Sequence, residues 1–236
     1  MSTDHEVERL KKVYQSYRAS GIAQTLWSET NPGNRAILQE RTRVLQQTLK
    51  AAGFFPLTNH RILDIGCGCG RVLADFVQWG ASPQNLYGID LLAERIKVAQ
   101  QGFPELHFQQ GNAERIDYQD ASFDLVILFT VLSSILDDRM AYNVAGETQR
   151  VLKPGGFVLW YDFRYNNPQN PHTRGMTRQR IRQFFPDFEL RLGMITLLPP
   201  LARRLGSLTS VLYPLLALVP LLRTHYLGLL VKPKEN

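Results

Sequence analysis

Apolar positions along the chain follow two rhythms. Over residues 6–18 (EVERLKKVYQSYR) and 35–52 (RAILQERTRVLQQTLKAA) they return every three or four positions, as on one face of a helix, and Gly53 ends the second run. The piece between them, 27–34, is turn-rich and holds Asn31-Pro32-Gly33. Short apolar runs then alternate with helical spacing. Residues 61–65, 85–90, 106–110, 123–129 and 157–163 are predicted as strands, and 71–79, 93–101 and 141–152 as helices. The run 123–129 (FDLVILF) is almost wholly apolar, as a strand covered on both faces requires. Such alternation predicts right-handed β-α-β units in an open, mostly parallel sheet with helices on both faces. Past residue 163 the pattern loosens. Residues 164–171 (RYNNPQNP) read as a loop, 177–184 as a basic helix, and 188–197 and 223–231 as strands. No internal repeat or low-complexity tract occurs.

Composition changes this picture only in part. The 236 residues are 44% hydrophobic and 20% charged, which suits one large domain and excludes a disordered chain. A net charge of +6 calls for an acidic partner, but the charge is uneven. Residues 1–163 carry 16 Lys and Arg against 18 Asp and Glu, whereas 164–236 carry 11 against 3. The two cysteines, Cys67 and Cys69, are too close for easy disulfide geometry and too few for a zinc site. A reducing cytoplasm suits them, and the polar, acidic start of the chain does not read as a signal peptide. No metal is expected.

The candidate chemistry begins at Asp64-Ile65-Gly66-Cys67-Gly68-Cys69-Gly70, at the end of the first strand and the start of a helix. Glycines there let backbone approach a ligand closely. An acid just before them would repel a pyrophosphate and accept from a cationic amino group. Asp90 ends the next strand, where an acid can grip ribose hydroxyls. The dinucleotide pattern wants a further glycine in the first helical turn, and this chain has Val72 and Leu73 there.

These residues resemble the first motif of class I S-adenosylmethionine-dependent methyltransferases. Later pieces arrive in the same order: Asp90, then Gly111-Asn112-Ala113-Glu114, Phe123-Asp124-Leu125-Val126, and Arg150-Val151-Leu152-Lys153-Pro154-Gly155-Gly156. The resemblance covers about residues 60–163. It implies a Rossmann-like sheet of about seven strands with an antiparallel last strand, S-adenosylmethionine as cofactor and S-adenosylhomocysteine as product. It divides the chain into an N-terminal helical lid (1–58), a cofactor-binding core (59–163) and an acceptor-side part (164–236). By the same resemblance Asp64 orients the methionine end, the turn at Gly66, Cys67, Gly68 and Gly70 with Arg71 lines the cofactor, and Asp90 takes the ribose. Leu91, Asn112, Ala113 and Glu114 surround the adenine, and Phe129 and Thr130 flank the methionine.

The acceptor is read from the segments after the fourth and fifth strands. Phe129-Thr130-Val131-Leu132-Ser133-Ser134 lacks the Asn/Asp-Pro-Pro-aromatic segment of nucleic-acid amino methyltransferases, which argues against methylation of a base. Asp137-Asp138 reads as a helix cap rather than part of a metal site. Asp162 and His172 are candidate bases, Arg164 a holder of an anionic acceptor, and Ser133, Tyr165, Asn166 and Asn167 candidate acceptor contacts. The alternative for the polar loop is a turn whose Asn side chains satisfy its own backbone. Tyr14 and Tyr17, on one helical face, and Arg18 are lid candidates facing the acceptor, with Trp27 after them.

Residues 205–222 contain no charge over 18 positions, close to bilayer-spanning length, but Gly206, Pro214 and Pro220 interrupt them. A helix capping the acceptor pocket is the leading expectation. An interfacial helix at anionic lipid, with Arg203, Arg204 and Arg223 flanking it, is the next. Asn166-Asn167-Pro168, Phe184-Phe185-Pro186 and the run Leu222-Arg223-Thr224-His225-Tyr226-Leu227 resemble the ends of bacterial methyltransferases encoded with surface-polysaccharide or secondary-metabolite genes. That implies O-methylation of a small molecule or sugar-linked acceptor, anionic in keeping with the basic tail. The alternatives are an RNA or protein methyltransferase using that tail, and a non-catalytic cofactor-binding protein. The sequence leaves the oligomeric state open.

Overall fold

A computed structural model describes residues 3–21 and 28–234, so Trp27 lies outside the described residues. Two helices come first, α1 (Asp4–Ala19) and α2 (Pro32–Ala51). Asn31 starts α2 by accepting from the amides of Gly33 (2.9 Å) and Asn34 (3.3 Å), with Pro32 as its first residue. The sheet is then laid down by β1 (Ile62–Ile65), β2 (Leu86–Asp90), β3 (His107–Gln110), β4 (Phe123–Phe129) and β5 (Leu152–Phe163). Between them lie α3 (Arg71–Gln78), α4 (Ala93–Gly102) and α5 (Asp138–Val151). The chain closes with α6 (Arg178–Phe184), β6 (Glu189–Leu197), α7 (Pro199–Arg204), α8 (Thr209–Leu216) and β7 (Arg223–Val231).

The strand order is β3-β2-β1-β4-β5-β7-β6. All neighbours are parallel except β7, which runs antiparallel to both β5 and β6. The seven-stranded sheet with an antiparallel last strand agrees with the fold class expected above. One face packs Leu63, Val126 and Trp160 against α1, α5 and α6, through Leu10, Val144 and Ile181. The other packs Ile62, Leu125 and Leu159 against α2, α3 and α4, through Leu49, Phe76 and Ile96. A third cluster joins α2 to the C-terminal helices through Ile37, Ala202 and Tyr213.

Two expectations of local structure change. Strand β5 begins at Leu152 rather than 157, because Leu152 already pairs with Phe123 before a register shift between Phe123 and Leu125. The uncharged run 205–222 is not one helix. It breaks into single 3₁₀ turns at Gly206–Leu208 and Pro220–Leu222 around the short α8, with Pro214 inside it. Among the described residues no helix is long and apolar enough to cross a membrane.

Candidate active site

The carboxyl ends of β1, β2 and β4 meet at one sheet edge, and a cavity of about 300 Å³ opens there. Each strand contributes one piece of its wall. After β1 the chain turns through Gly66, whose φ of +72° favours glycine and whose added Cβ would stand 2.9 Å from Val131 Cγ2. β2 ends at Asp90. Its Oδ2 accepts from the Gly68 amide and its Oδ1 from the Leu92 amide, both at 2.9 Å, so one carboxylate fixes both loops beside the cavity. Each oxygen still has a lone pair to offer a ligand. Beyond β4, Thr130 sits at φ +55°, a strained value for a branched residue. Its amide donates to Tyr161 O and its hydroxyl to Phe129 O, each at 2.7 Å, which holds it there.

Asp64 lies behind this wall. It is 2% exposed, and its Oδ2 has no hydrogen-bond partner among the described residues. Burial pushes its carboxyl well above the usual range, the nearby Asp90 adds to the push, and the Arg41 guanidinium opposes it. A buried acceptor left bare is costly until a donor reaches it.

Helix α1 roofs the cavity, with Leu10 and Tyr14 facing in. Its tethers span its length. Thr3 Oγ1 donates to Glu114 Oε2 (2.6 Å), Arg9 joins Glu6 (2.7 Å) to Ser134 O (2.6 Å), and the Tyr14 and Ser134 hydroxyls meet at 3.2 Å. Glu6 Oε1 also accepts from the Leu136 amide at 2.6 Å. Burial would raise the Glu6 carboxyl, but Arg9 and the backbone donors outweigh it and hold the group below its usual range. Arg95 covers the Tyr14 ring from 4.3 Å.

Of the residues singled out from sequence, Gly66, Asp90, Leu91, Asn112, Ala113, Phe129, Thr130 and Tyr14 stand on the cavity wall. The others lie elsewhere. Cys67 is buried, and burial with the nearby Asp64 pushes its thiol far up, so it is no thiolate at neutral pH. Gly70, at φ +82°, starts α3, where a Cβ would fall 2.5 Å from the Phe108 ring. Arg71 is exposed and pairs with Glu29 at 3.0 Å. Glu114 ties α1 and Asn143 to the loop after β3. Asp162 is 1% exposed, with Oδ2 accepting from the Ser133 amide (3.1 Å) and Oδ1 from the Phe163 amide (2.8 Å). Burial, opposed by these donors, raises its carboxyl to about 7. Ser133 is itself fully buried.

The polar loop after β5 mostly satisfies its own backbone. Asn166 accepts from the Gly175 amide at 2.7 Å and Asn167 from the Gln169 amide at 3.0 Å. Arg164 donates to Pro220 O (2.7 Å) and Arg223 O (3.1 Å), and lies against the ring of the exposed Tyr165. His172 is exposed and edge-on to Tyr17 at 6.5 Å, at the outer end of the roof, with Arg18 exposed in the last turn of α1.

Sequence reading missed part of the wall: Leu10, Arg95, Val131, Ser134, Ile135, Met140 and Val144. It also missed Arg41 on α2, which stands 5.7 Å from the Phe129 ring centre and 5.6 Å from that of Tyr161. Its Nε is buried with no hydrogen-bond partner among the described residues. Burial, with Arg41 adding to it, pulls His225 down to about 3, so that ring is a neutral stacking partner of Tyr161 at 4.6 Å.

Residues 62–156 match the family described as "Methyltransferase domain". Residues 62–156 are thus an S-adenosylmethionine-dependent methyltransferase domain of class I. A ubiquinone biosynthesis O-methyltransferase of Paracidovorax citrulli is 35% identical over 115 residues, 46% of this chain and 45% of that protein. A tRNA N(3)-cytidine methyltransferase of Gallus gallus is 30% identical over 127 residues, 50% of this chain and 34% of that one. The chain thus spans less than half the length of these relatives. A solved methyltransferase of Methanosarcina mazei shares the fold with a TM-score of 0.59 at 20% identity, covering 79% of this chain and 98% of that one. The methyltransferase domain fits the family's cofactor at the bare Asp64 oxygen, because S-adenosylmethionine carries an ammonium group.

Proposed function

We propose that this protein transfers the methyl group of S-adenosylmethionine to an oxygen of a small-molecule or sugar-linked acceptor. The observation that carries the reading is the roof. Helix α1 is hydrogen-bonded over the cavity along its length and narrows the approach to it, which favours a small group over a polymer. Asp64 receives the cofactor's ammonium, Asp90 its ribose hydroxyls, and Leu91, Asn112 and Ala113 its adenine. Phe129 and Thr130 lie along the methionine.

When bound, the cofactor supplies a methyl already activated on a sulfonium, and the protein's part is alignment of the acceptor. The hydroxyls of Thr130, Ser134 and Tyr14 cluster at the end of β4 and can orient an acceptor hydroxyl there. Of the two candidate bases, His172 has solvent access, whereas both oxygens of Asp162 are already occupied by backbone amides.

The basic tail does not favour a nucleic-acid acceptor. Arg174 and Arg180 both bind Asp138, Arg178 donates to Leu192 O, and Arg164 and Arg223 brace backbone carbonyls. These guanidinium groups hold the fold together instead of forming a strip for phosphates. The test is calorimetric titration with S-adenosylmethionine, followed by transfer of labelled methyl to hydroxylated small molecules and to RNA. Binding with label in the small-molecule fraction is the expected result. Label in RNA would overturn the acceptor, and no binding at millimolar cofactor would overturn the enzyme reading.

A further inference from the structure

Exposed apolar side chains concentrate between β6 and β7, away from the cofactor cavity. Leu208, Val211, Leu215 and Leu218 follow at spacings of three, four and three, and so share one face of α8 and its flanking turns. Val219 and Leu221 extend the patch toward β7. Exposure across these six runs from 43% at Val219 to 82% at Leu221. The helix already has its buried side, Tyr213 and Ala217 against Ile37 and Leu197. The outward crest is a second apolar face held in water, and such faces mark contact surfaces.

The charges around the crest select its partner. No Asp or Glu occurs from residue 190 to 234. Arg203 and Arg204 precede the crest and Arg223 follows it. A groove of about 820 Å³ runs between α2 and α8, with Arg35, Arg43 and Arg223 in its wall and Leu218 shared with the crest. Its carboxylate, Glu40, is buried and already accepts from Tyr213 Oη (2.8 Å) and the Thr196 amide (2.9 Å). An apolar crest beside a cationic groove matches acyl chains beside anionic headgroups.

We propose that residues 206–222 dock this protein on an anionic phospholipid surface, the leucine crest entering at headgroup depth and the exposed Arg43 of the groove receiving a lipid phosphate. The test is flotation of the full chain with vesicles of phosphatidylcholine alone and of phosphatidylcholine mixed with phosphatidylglycerol. Binding to the mixed vesicles should exceed that to neutral ones by about tenfold or more at low salt. Leu218→Glu should lower it by about tenfold and Arg43→Glu by about fivefold or more. Both positions are exposed, so thermal stability and S-adenosylmethionine binding should stay at wild-type values. Equal binding to neutral and anionic vesicles overturns the proposal. So does a dimer, seen by light scattering, that Leu218→Glu dissociates, since the crest would then be a protein interface.

Discussion

Asp64 and Asp162 lie toward the carboxyl ends of two parallel strands, β1 and β5, and both are buried. Asp162 stands three residues beyond Leu159, the β5 residue in register with Asp64 through Ile127. Their surroundings differ. Both oxygens of Asp162 take a backbone amide, so the carboxylate stitches the end of β5 to the loop after β4. One oxygen of Asp64 has no partner among the described residues and lies close to Asp90 and Arg41. Burial is common to both and so marks neither as a ligand contact. Incomplete hydrogen bonding is what distinguishes them.

Asp162→Ala should have the largest effect on stability. It strands two buried amides and should cost about 3 kcal/mol in a denaturant titration, with Asp162→Asn recovering part of the loss. The same residue sets a pH dependence. Its folded-state value of about 7 lies above the ordinary 3.8, so the native state keeps a proton that the unfolded chain releases. Stability should therefore decline from about pH 4 to about pH 7 and then level off. Asp162→Asn should flatten that decline; an unchanged profile would show that another group is responsible.

Asp90→Ala should act on both properties, because Asp90 braces two loops and faces the cavity. Cofactor affinity should fall by about 1–3 kcal/mol in calorimetry, alongside a lower melting temperature. Asp64→Ala sharpens the contrast: affinity should fall by about 1–3 kcal/mol while the melting temperature holds or rises, since an incompletely paired buried carboxylate is removed. Wild-type affinity with a stability loss like that of Asp162→Ala would erase the distinction. Asn166→Ala should do least, costing about 1 kcal/mol of stability through one turn contact, with cofactor affinity intact.

The parallel half was legible because its signals are local. FDLVILF predicts β4 over 123–129 to the residue, and the glycine turn and Asp90 mark two strand ends. Other features depend on distant partners. Leu152 joins β5 through its pairing with Phe123, which no local pattern encodes. The roof contacts join α1 to residues more than a hundred positions away. Arg41 did leave a sign: it interrupts a stripe of Ile37, Leu45 and Leu49 at four-residue steps, and a charge on an apolar stripe needs a reason. The run 205–222 misleads because its apolar content serves two faces, one buried and one in water.

Because β7 runs against its neighbours, the chain leaves the sheet at Leu197 and re-enters at Arg223, and these two residues are paired. Everything from 198 to 222 therefore hangs from a mouth one strand spacing wide, while the register of β5, β6 and β7 is set elsewhere. The middle of this segment is seated separately, by Ala202, Tyr213 and Ala217 packed with Ile37 of α2 and by the Tyr213 hydroxyl on Glu40. The excursion therefore has two independent supports, strand pairing at its ends and helix packing at its middle, and loosening one leaves the other in place.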